Sequence, residues 1–465
     1  MFLLFFRRME SLSIVSYIPD SESSSCGYCK EKGSISSGMW AHYLSAENYQ
    51  ALLDRGWRRS GRFVYKPVIP DTCCPLYTIR CNAKQFIPTK SQKKVAKKVN
   101  NFLLRGKGCT ESPPIPDSTK KGLKRKDKED DFMNKNKDGG IKEDGELNAV
   151  KEELKMLGMK KAKVRRMERS LKKEKECMSE KKDGLKTFSG SLEQLTAGST
   201  STTGEETYKH QLSLRLVKAD QSDAEFKETF KESFSIYKIY QIAVHKDKES
   251  DCSEETFKSF LCDSPLPYSS SKSSPTWGSY HQHYLLDGKI IAVGVVDILP
   301  GCVSSVYFYY NPEYSFLSLG TYSALREIEF TVSLGLEFYY MGYYVHTCPK
   351  MRYKGSYKPS QLLSLSSYNW HPIEKCTAIL ETTKYSCFED ETPGGAKFKP
   401  SLRKVKLFFQ GSIISYREGL LKSLPTPEQN KLTEFIDRVQ DLAEFIIPVI
   451  TDSASASDSD SDSEL

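Results

Sequence analysis

The spacing of apolar and polar positions separates two patterned regions from one long stretch without pattern. Residues 12–18 form a short, mostly apolar run that predicts a strand. Residues 45–56 read as a helix: Ser45 can cap it, Glu47 suits its first turn and Gly56 its stop. Residues 63–65 and 77–80 predict short strands. Residues 90–104 place Val95, Val99, Phe102 and Leu103 at helical spacing, with lysines on the other face. Past residue 209 the pattern resumes. Residues 212–217 alternate as a strand does, and Phe226, Phe230 and Phe234 recur every fourth residue, marking a helix that faces a core. Residues 284–299 predict a hairpin turning at Asp287-Gly288. A strand at 303–310, a helix at 318–335 with Leu325, Ile328 and Val332 inside, and an aromatic strand at 338–345 follow. The order strand, helix, hairpin, strand, helix, strand is that of a mixed α/β or α+β layer. Thr426-Pro-Glu-Gln429 predicts a capping box with proline at the first helical position, opening a helix with Leu432, Phe435, Val439, Leu442 and Phe445 on one face.

The stretch between these regions differs in composition. Residues 116–186 hold 23 bases and 16 acids with few aromatics, the composition of a disordered linker. Within it, residues 147–176 are rich in good helix formers and suit a lone charged helix. Residues 120–126 (Lys-Lys-Gly-Leu-Lys-Arg-Lys) resemble a nuclear-localisation run, although such a run is more often a solvated linker. The Ser-Asp repeat at the end reads as a disordered acidic tail. The expected organisation is a first unit at 11–107, a linker at 108–208, a main body at 209–424, a C-terminal helix at 425–450 and a tail at 451–465.

Charge sharpens this division. The net charge of +8 conceals residues 55–107, where 14 Lys and Arg meet a single acid, Asp71, and residues 452–465, with five acids and no base. A cationic segment of that length is the footprint of a polyanion partner. No apolar run reaches the roughly 18–20 residues of a membrane-crossing helix, so no membrane partner is expected. The first eight residues place their apolar side chains before their arginines and are too short for a signal peptide; Met9 is an alternative start. Thirteen cysteines, an odd number in a long charged chain, do not read as a secreted disulfide framework, and a reducing cytoplasmic or nuclear compartment fits better.

Three constellations carry chemistry. Cys26-Gly-Tyr-Cys29 puts two thiols on a tight turn, and Cys73-Cys74-Pro75 supplies a second pair, with Cys81 seven residues on. Two such pairs brought together form a tetrahedral sulfur site for Zn²⁺ or an iron–sulfur cluster; a redox dithiol or separate buried thiols would use the same residues. Arg55, Arg58, Arg59 and Arg62 surround Trp57, and Tyr65, Lys66, Tyr77 and Arg80 continue the alternation. Arginine forks pair with phosphate and aromatic faces stack on bases, so these residues, with Lys93 and Lys94 of the following helix, are candidates for RNA contact. The bland reading is that Trp57 packs and the bases solubilise. Finally, His346, Lys350, Arg352, Lys354 and Tyr357 follow the aromatic strand, where an α/β layer often opens its ligand crevice, and suit a phosphate or a carboxylate. His281 and His283 make only a weak metal pattern. No P-loop, nucleophile elbow or dinucleotide fingerprint occurs.

Several of these strings resemble the arginyl-tRNA–protein transferase (arginyltransferase) family in its animal-type version. They are Cys26-Gly-Tyr-Cys29, Asp54-Arg-Gly-Trp-Arg-Arg-Ser-Gly61, Cys73-Cys74-Pro75 with Tyr77-Thr-Ile-Arg80, Ser304-Ser-Val-Tyr-Phe-Tyr-Tyr310, Leu317-Ser-Leu-Gly-Thr-Tyr-Ser-Ala-Leu-Arg-Glu-Ile328, Tyr339-Tyr-Met-Gly-Tyr-Tyr-Val-His346 and Lys350-Met-Arg-Tyr-Lys-Gly355. The resemblance covers roughly 11–105 and 210–420. It implies a Cys-rich N-terminal metal or cluster domain, with Cys26, Cys29, Cys73 and Cys74 as ligands, and a GNAT-like acyltransferase domain. It implies transfer of arginine from arginyl-tRNA to the N-terminal amine of proteins beginning with Asp, Glu or oxidised Cys, which marks them for ubiquitin-dependent degradation. The run Arg352-x-x-Gly355 continues as Ser-Tyr, so the acetyl-CoA loop of acetyltransferases is incomplete and no coenzyme A is expected.

On that resemblance Lys350, Arg352, Lys354 and Tyr357 are expected to read the acidic side chain of the acceptor, with His346 nearby. Asp297 and Glu327 are candidate carboxylates for the arginine side chain; with His346 they are also the catalytic candidates. The competing class is a non-enzymatic, zinc-ribbon-like RNA- or DNA-binding module built on the same Cys and Arg residues.

Overall fold

The computed structural model describes residues 12–20, 23–69, 71–106, 208–268, 275–389, 402–416 and 424–450, all within one unit formed by the chain before residue 110 and after residue 187. The expected linker, its lone helix, the basic run at 120–126, the acidic tail and both candidate starts lie outside the described residues. In chain order the strands are β1 (Ser13–Ile18), β2 (Ser24–Ser25), β3 (Lys32–Ser34), β4 (Ser36–Tyr43), β5 (Arg58–Ser60), β6 (Phe63–Pro67) and β7 (Tyr77–Asn82). After the undescribed stretch come β8 (Leu212–Lys218), β9 (Gly278–Leu286), β10 (Lys289–Leu299), β11 (Cys302–Tyr310), β12 (Phe338–Tyr344), β13 (Ser360–Leu363), β14 (Trp370–Pro372), β15 (Lys406–Phe409), β16 (Ser412–Ser415) and β17 (Ile446–Ile450). The helices are α1 (Ala46–Leu53), α2 (Lys90–Arg105), α3 (Ala224–Tyr240), α4 (Glu254–Phe257), α5 (Leu319–Ser333), α6 (Pro349–Arg352), α7 (Ile373–Leu380) and α8 (Thr426–Val439).

The larger sheet runs β14-β13-β7-β12-β11-β10-β9-β8. Its hairpin β9–β10 turns where the sequence predicts: Asp287 and Gly288 both take left-handed backbone, the twist-matched turn of a two-residue hairpin. Helices cover both faces, which is why β9 and nearly all of β10 are buried at successive residues rather than alternately. Val293 and Val295 join the aromatic residues of α3 and α4 in one cluster, while Ile291 and Ala292 join α2 and α5 in another. Helix α2 is set by a capping box in which Thr89 accepts from the Gln92 amide and the Gln92 side chain accepts from Thr89 N–H.

The smaller sheet runs β16-β15-β17-β1-β4-β6-β5, with Val15, Met39, Ala41 and Val64 turned toward Tyr49, Leu52 and Trp57 and toward Phe435 and Val439 of α8. Two expectations are corrected here. The first unit does not close on itself at residue 107: β7 is hydrogen-bonded between β12 and β13 in the larger sheet, so residues 11–107 and 209–424 are interleaved. Nor is 425–450 one helix. Thr426 is the first helical residue and makes no side-chain cap, Pro425 holding the cap position. Helix α8 stops at Val439, because Gln440 has φ of 55°, and Phe445 is left exposed. The β-branched run Ile446–Ile450 then becomes β17 and pairs in parallel with β1. Among the described residues no helix is long and apolar enough to cross a membrane.

Candidate active site

Strands β11 and β12 are parallel neighbours for only three residue pairs, Cys302 to Ser304 against Phe338 to Tyr340, and then part. On its other side β12 pairs with β7, but its register breaks between Tyr340 and Tyr343. Gly342 sits in that break at φ of 73°, left-handed backbone that an L side chain rarely adopts. The parting leaves a cavity of about 540 Å³ between the strand ends. Residues 304–308 of β11 line one wall and Tyr339, Gly342 and Tyr343 of β12 another. Gly320 and Ser323 bring the N-terminal turn of α5 to it, where the 15-residue helix presents its positive end. From the opposite face, Tyr307 shares its hydroxyl with Gln241 at 2.7 Å and His245 at 3.2 Å, both on a π-helical turn that continues α3.

No Asp or Glu is among the described residues lining this cavity, while Arg58, Arg59 and Lys354 are. Arg58 is buried on β5, donates to the carbonyls of Trp57 at 2.8 Å and Gly342 at 3.3 Å, and lies 5.4 Å from the Tyr343 ring centroid. Lys354 donates to the Tyr343 carbonyl at 3.0 Å. Burial, with some help from the Arg58 charge, pushes the Lys354 ammonium down to about 7. Two cations therefore converge on the break in β12, next to a helix N-terminus and many tyrosines. Such a crevice takes a carboxylate or phosphate and stacks planar groups.

The structure sorts the candidates sharply. Of the second basic cluster only Lys354 and Tyr357 line the cavity. Lys350 is exposed; Arg352 pairs with Glu381 on the surface, and His346 is bonded to Tyr344 at 2.9 Å and lies 3.5 Å from the same Glu381. Asp297 is fully buried and held by Arg59 at 2.5 Å, which withdraws the aspartate from substrate contact and the arginine from RNA. Most of the other arginines expected on RNA are also engaged: Arg55 with Asp441 at 2.7 Å, Arg62 on the His42 carbonyl at 2.9 Å, and Arg80 between the rings of Phe338 and Trp370. What stays open to solvent is the α2 row of Lys90, Lys93, Lys94, Lys97 and Lys98. Its N-terminal turn lies beside the cavity wall: Gln92 reaches Ser356, the neighbour of the lining residue Tyr357, at 3.5 Å, and Phe86, just before the helix, stacks on Tyr357. Glu327 lies immediately behind the wall, where its carboxylate accepts from the Tyr339 hydroxyl at 2.7 Å and has Ser305 nearby. His281 and His283 are buried core residues; burial lowers them to about 4 and 3.

The four cysteines do meet. Their Sγ atoms all lie within 4.8 Å of one another, with Cys29 and Cys73 at 3.6 Å. A tight turn closed by Lys30 N–H on the Cys26 carbonyl presents the first pair. Cys73 N–H on the Gly33 carbonyl docks the second, and Gly33 is obligatory there, because a Cβ would stand 2.8 Å from that of Cys73. Burial pushes the Cys26 thiol up, but the amides of Cys29 and Tyr28 and the facing thiols outweigh it and bring it to about 7. Burial and then the neighbouring thiols raise Cys73 to about 11 and Cys74 to about 12. A cation relieves that mutual opposition. Zn–S bonds of about 2.3 Å give tetrahedral edges of about 3.8 Å, so the sulfur spacing fits one four-coordinate ion. Tyr28 and Met351 pack on this cluster and also line the cavity, so the sulfur site backs the cavity wall. Sequence reasoning missed Tyr28 and the cavity role of Arg58; a glycine amid the aromatic run of β12 was the available sign of the break.

Comparison with known proteins agrees with this arrangement. Residues 24–94 match the family described as "Arginine-tRNA-protein transferase, N terminus" and residues 232–364 match "Arginine-tRNA-protein transferase, C terminus". The chain is 39% identical over 432 residues to Arginyl-tRNA--protein transferase 1 of Drosophila melanogaster, covering 82% of this chain and 87% of that one. It is 33% identical to the protein of the same name from Arabidopsis thaliana, covering 79% and 74%. A shorter likeness, 37% over 133 residues, links 28% of the chain to 52% of the aspartate/glutamate leucyltransferase of Pseudomonas fluorescens.

Proposed function

The chain belongs to the arginyl-tRNA–protein transferase family, and on that premise we propose that it moves arginine from arginyl-tRNA to the N-terminal amine of proteins beginning with Asp, Glu or oxidised Cys. The observation that carries this reading is the cavity at the parting of β11 and β12, acid-free on its described lining and furnished with Arg58 and Lys354. The parallel pair that parts around the N-terminus of an intervening helix supports the GNAT-like reading of this part of the chain. Arg352 faces Glu381 rather than the cavity, in keeping with a tRNA donor in place of coenzyme A.

The reaction asks little beyond placement. A free α-amine has a pKa of about 7.7–8.0, so a useful neutral fraction exists near pH 7. Holding that amine against the arginyl ester supplies part of the barrier as effective molarity. Arg58 and Lys354, rather than the surface-facing Arg352 and Lys350, bind the acidic side chain of the acceptor; an uncharged first residue leaves them unpaired in a desolvated site. The α2 lysines, adjoining the same wall, hold tRNA phosphates. Cys26, Cys29, Cys73 and Cys74 hold a zinc ion or an iron–sulfur centre. That group, when bound, pins the two Cys loops and with them Tyr28. The product is an arginine N-terminus that destabilises the acceptor through ubiquitin ligases, in a cytoplasmic or nuclear setting consistent with free thiols at the described cysteines. A nucleic-acid-binding module without activity leaves the cavity unused. The test is labelled arginyl-tRNA with peptides beginning with Asp or Gly: transfer to the Asp peptide alone supports the reading, and no transfer to either overturns it.

A further inference from the structure

Glu327 is a carboxylic acid that the binding scheme does not use. It projects from α5 and is 1% exposed. Its Oε2 accepts from Tyr339 Oη at 2.7 Å, and the nearby Ser305 hydroxyl favours its charged form. Its Oε1 fills the place where Gly294 of β10 has no side chain; a Cβ there would lie 3.0 Å away. The titratable groups that face it are Tyr284 of β9, Tyr339 of β12, and Tyr353 and Tyr357 after α6. Among the described residues no Lys or Arg forms an ion pair with it, and burial raises it to about 7.

A protonated core glutamate would satisfy the Tyr339 hydroxyl equally well, so burial alone assigns nothing. The decisive feature is on the other side of the two hydroxyls: Ser305 and Tyr339 both line the cavity in which the amine and the ester must meet. Tyr339 is at once in the wall and hydrogen-bonded to the hidden acid, and Ser305 is a wall hydroxyl beside it. We propose that Glu327 stores the proton of the acceptor amine, reached through the hydroxyls of Ser305 and Tyr339. This rests on the transferase reading.

The step balances without an outside reagent. The amine lone pair forms the N–C bond and the carbonyl π pair moves onto oxygen. The nitrogen proton passes to a cavity hydroxyl, whose own proton passes to Glu327. Collapse of the tetrahedral adduct re-forms the carbonyl and breaks the C–O bond to the ribose. The leaving oxygen takes a proton back along the same path, and Glu327 returns to its starting state.

The experiment is single-turnover transfer from arginyl-tRNA to an Asp peptide across pH 5.5–9, for wild type, Glu327→Gln and Glu327→Asp. Below pH 7 two groups, amine and acid, must be deprotonated, so log rate should rise with a slope of about two in wild type and about one in E327Q. At pH 8 E327Q should lose about 100-fold in rate with KM for arginyl-tRNA unchanged, and E327D should recover part of the rate and the steeper limb. An E327Q protein that melts like wild type and keeps its rate or its slope of two overturns the proposal. So does a raised KM for arginyl-tRNA with an unaltered profile, which would make Glu327 the seat of the arginyl side chain. Should E327Q not fold, Ser305→Ala combined with Tyr339→Phe leaves the acid and cuts the path. The slope should then fall in the same way, and a slope still at two overturns the proposal. Wild-type transfer to the Asp peptide is measured in the same series, so failure of the transferase reading itself is seen separately.

Discussion

Arg59 and Asp297 form a buried, two-pronged ion pair between the two sheets, with Nε on Oδ2 at 2.8 Å and Nη2 on Oδ1 at 2.5 Å. Arg59 stands on β5 at the end of one sheet and Asp297 on β10 in the other; Ser279 and the Gly61 carbonyl take further guanidinium protons. Removing either partner strands a charge in the interior. Asp297→Asn or Arg59→Met should each lower unfolding stability by about 3–5 kcal/mol in urea titration. The paired replacement Arg59→Met with Asp297→Leu should recover much of that loss.

The cavity cations set the acceptor preference. Lys354→Met should narrow the Asp-over-Gly preference in kcat/KM by about 100-fold, because a hydrogen-bonded charge is removed from a desolvated site. Lys354 titrates near 7, so its charge fades as pH rises. KM for an Asp peptide should therefore climb between pH 6.5 and 8 in wild type and stay level in Lys354→Arg, whose charge persists. The same depressed value has a sign for stability. Between about 7 and the unfolded value near 10.4 the unfolded chain binds the extra proton, so this lysine's penalty is full below pH 7 and is relieved as pH rises.

Metal analysis of protein prepared without air should return one tightly held metal centre per chain, lost in Cys26→Ser and Cys73→Ser. Visible absorption separates iron–sulfur from colourless zinc. Chelation should lower the melting temperature and weaken peptide binding together, since Tyr28 and Met351 join the sulfur cluster to the cavity.

Reversing Lys93, Lys94, Lys97 and Lys98 to Glu should raise KM for arginyl-tRNA without touching KM for peptide. Each lost phosphate contact should flatten the log affinity against log salt plot by about 0.7–0.9. Reversing Arg62 or Arg80, engaged with groups of the fold itself, should instead show as lost stability in thermal melting.

Local pattern carried the reading wherever the determinants were local. The hairpin at Asp287-Gly288, the Phe226-Phe230-Phe234 helix and the Cys26-Cys29 turn all follow from neighbours in sequence. Long-range pairing was hidden. Arg59 and Arg58 are adjacent, chemically identical and both on the cavity lining, yet Arg59 is neutralised by an aspartate 238 residues away while Arg58 is held by backbone carbonyls. The cationic run therefore looked like one RNA surface, although folding turns most of its arginines inward and leaves the lysines out. Strand β4, with Ser36, Ser37, Gly38 and His42, lacked the apolar alternation that would have announced it.

The edges of the undescribed stretch have their own consequence. The described residues stop at Gly106 and resume at Tyr208, and these two ends touch: His210 N–H donates to the Leu103 carbonyl at 2.9 Å, its ring stacks on Phe102, and Gly106 packs on Lys209. The two ends thus meet in a closed stem. Loop entropy grows only by about 0.6 kcal/mol per doubling of length, so the enzyme core is nearly indifferent to how much chain is spliced in there. That makes the stem a natural port, where evolution or an engineer can lengthen, trim or exchange an appendage while strands on either side keep their register.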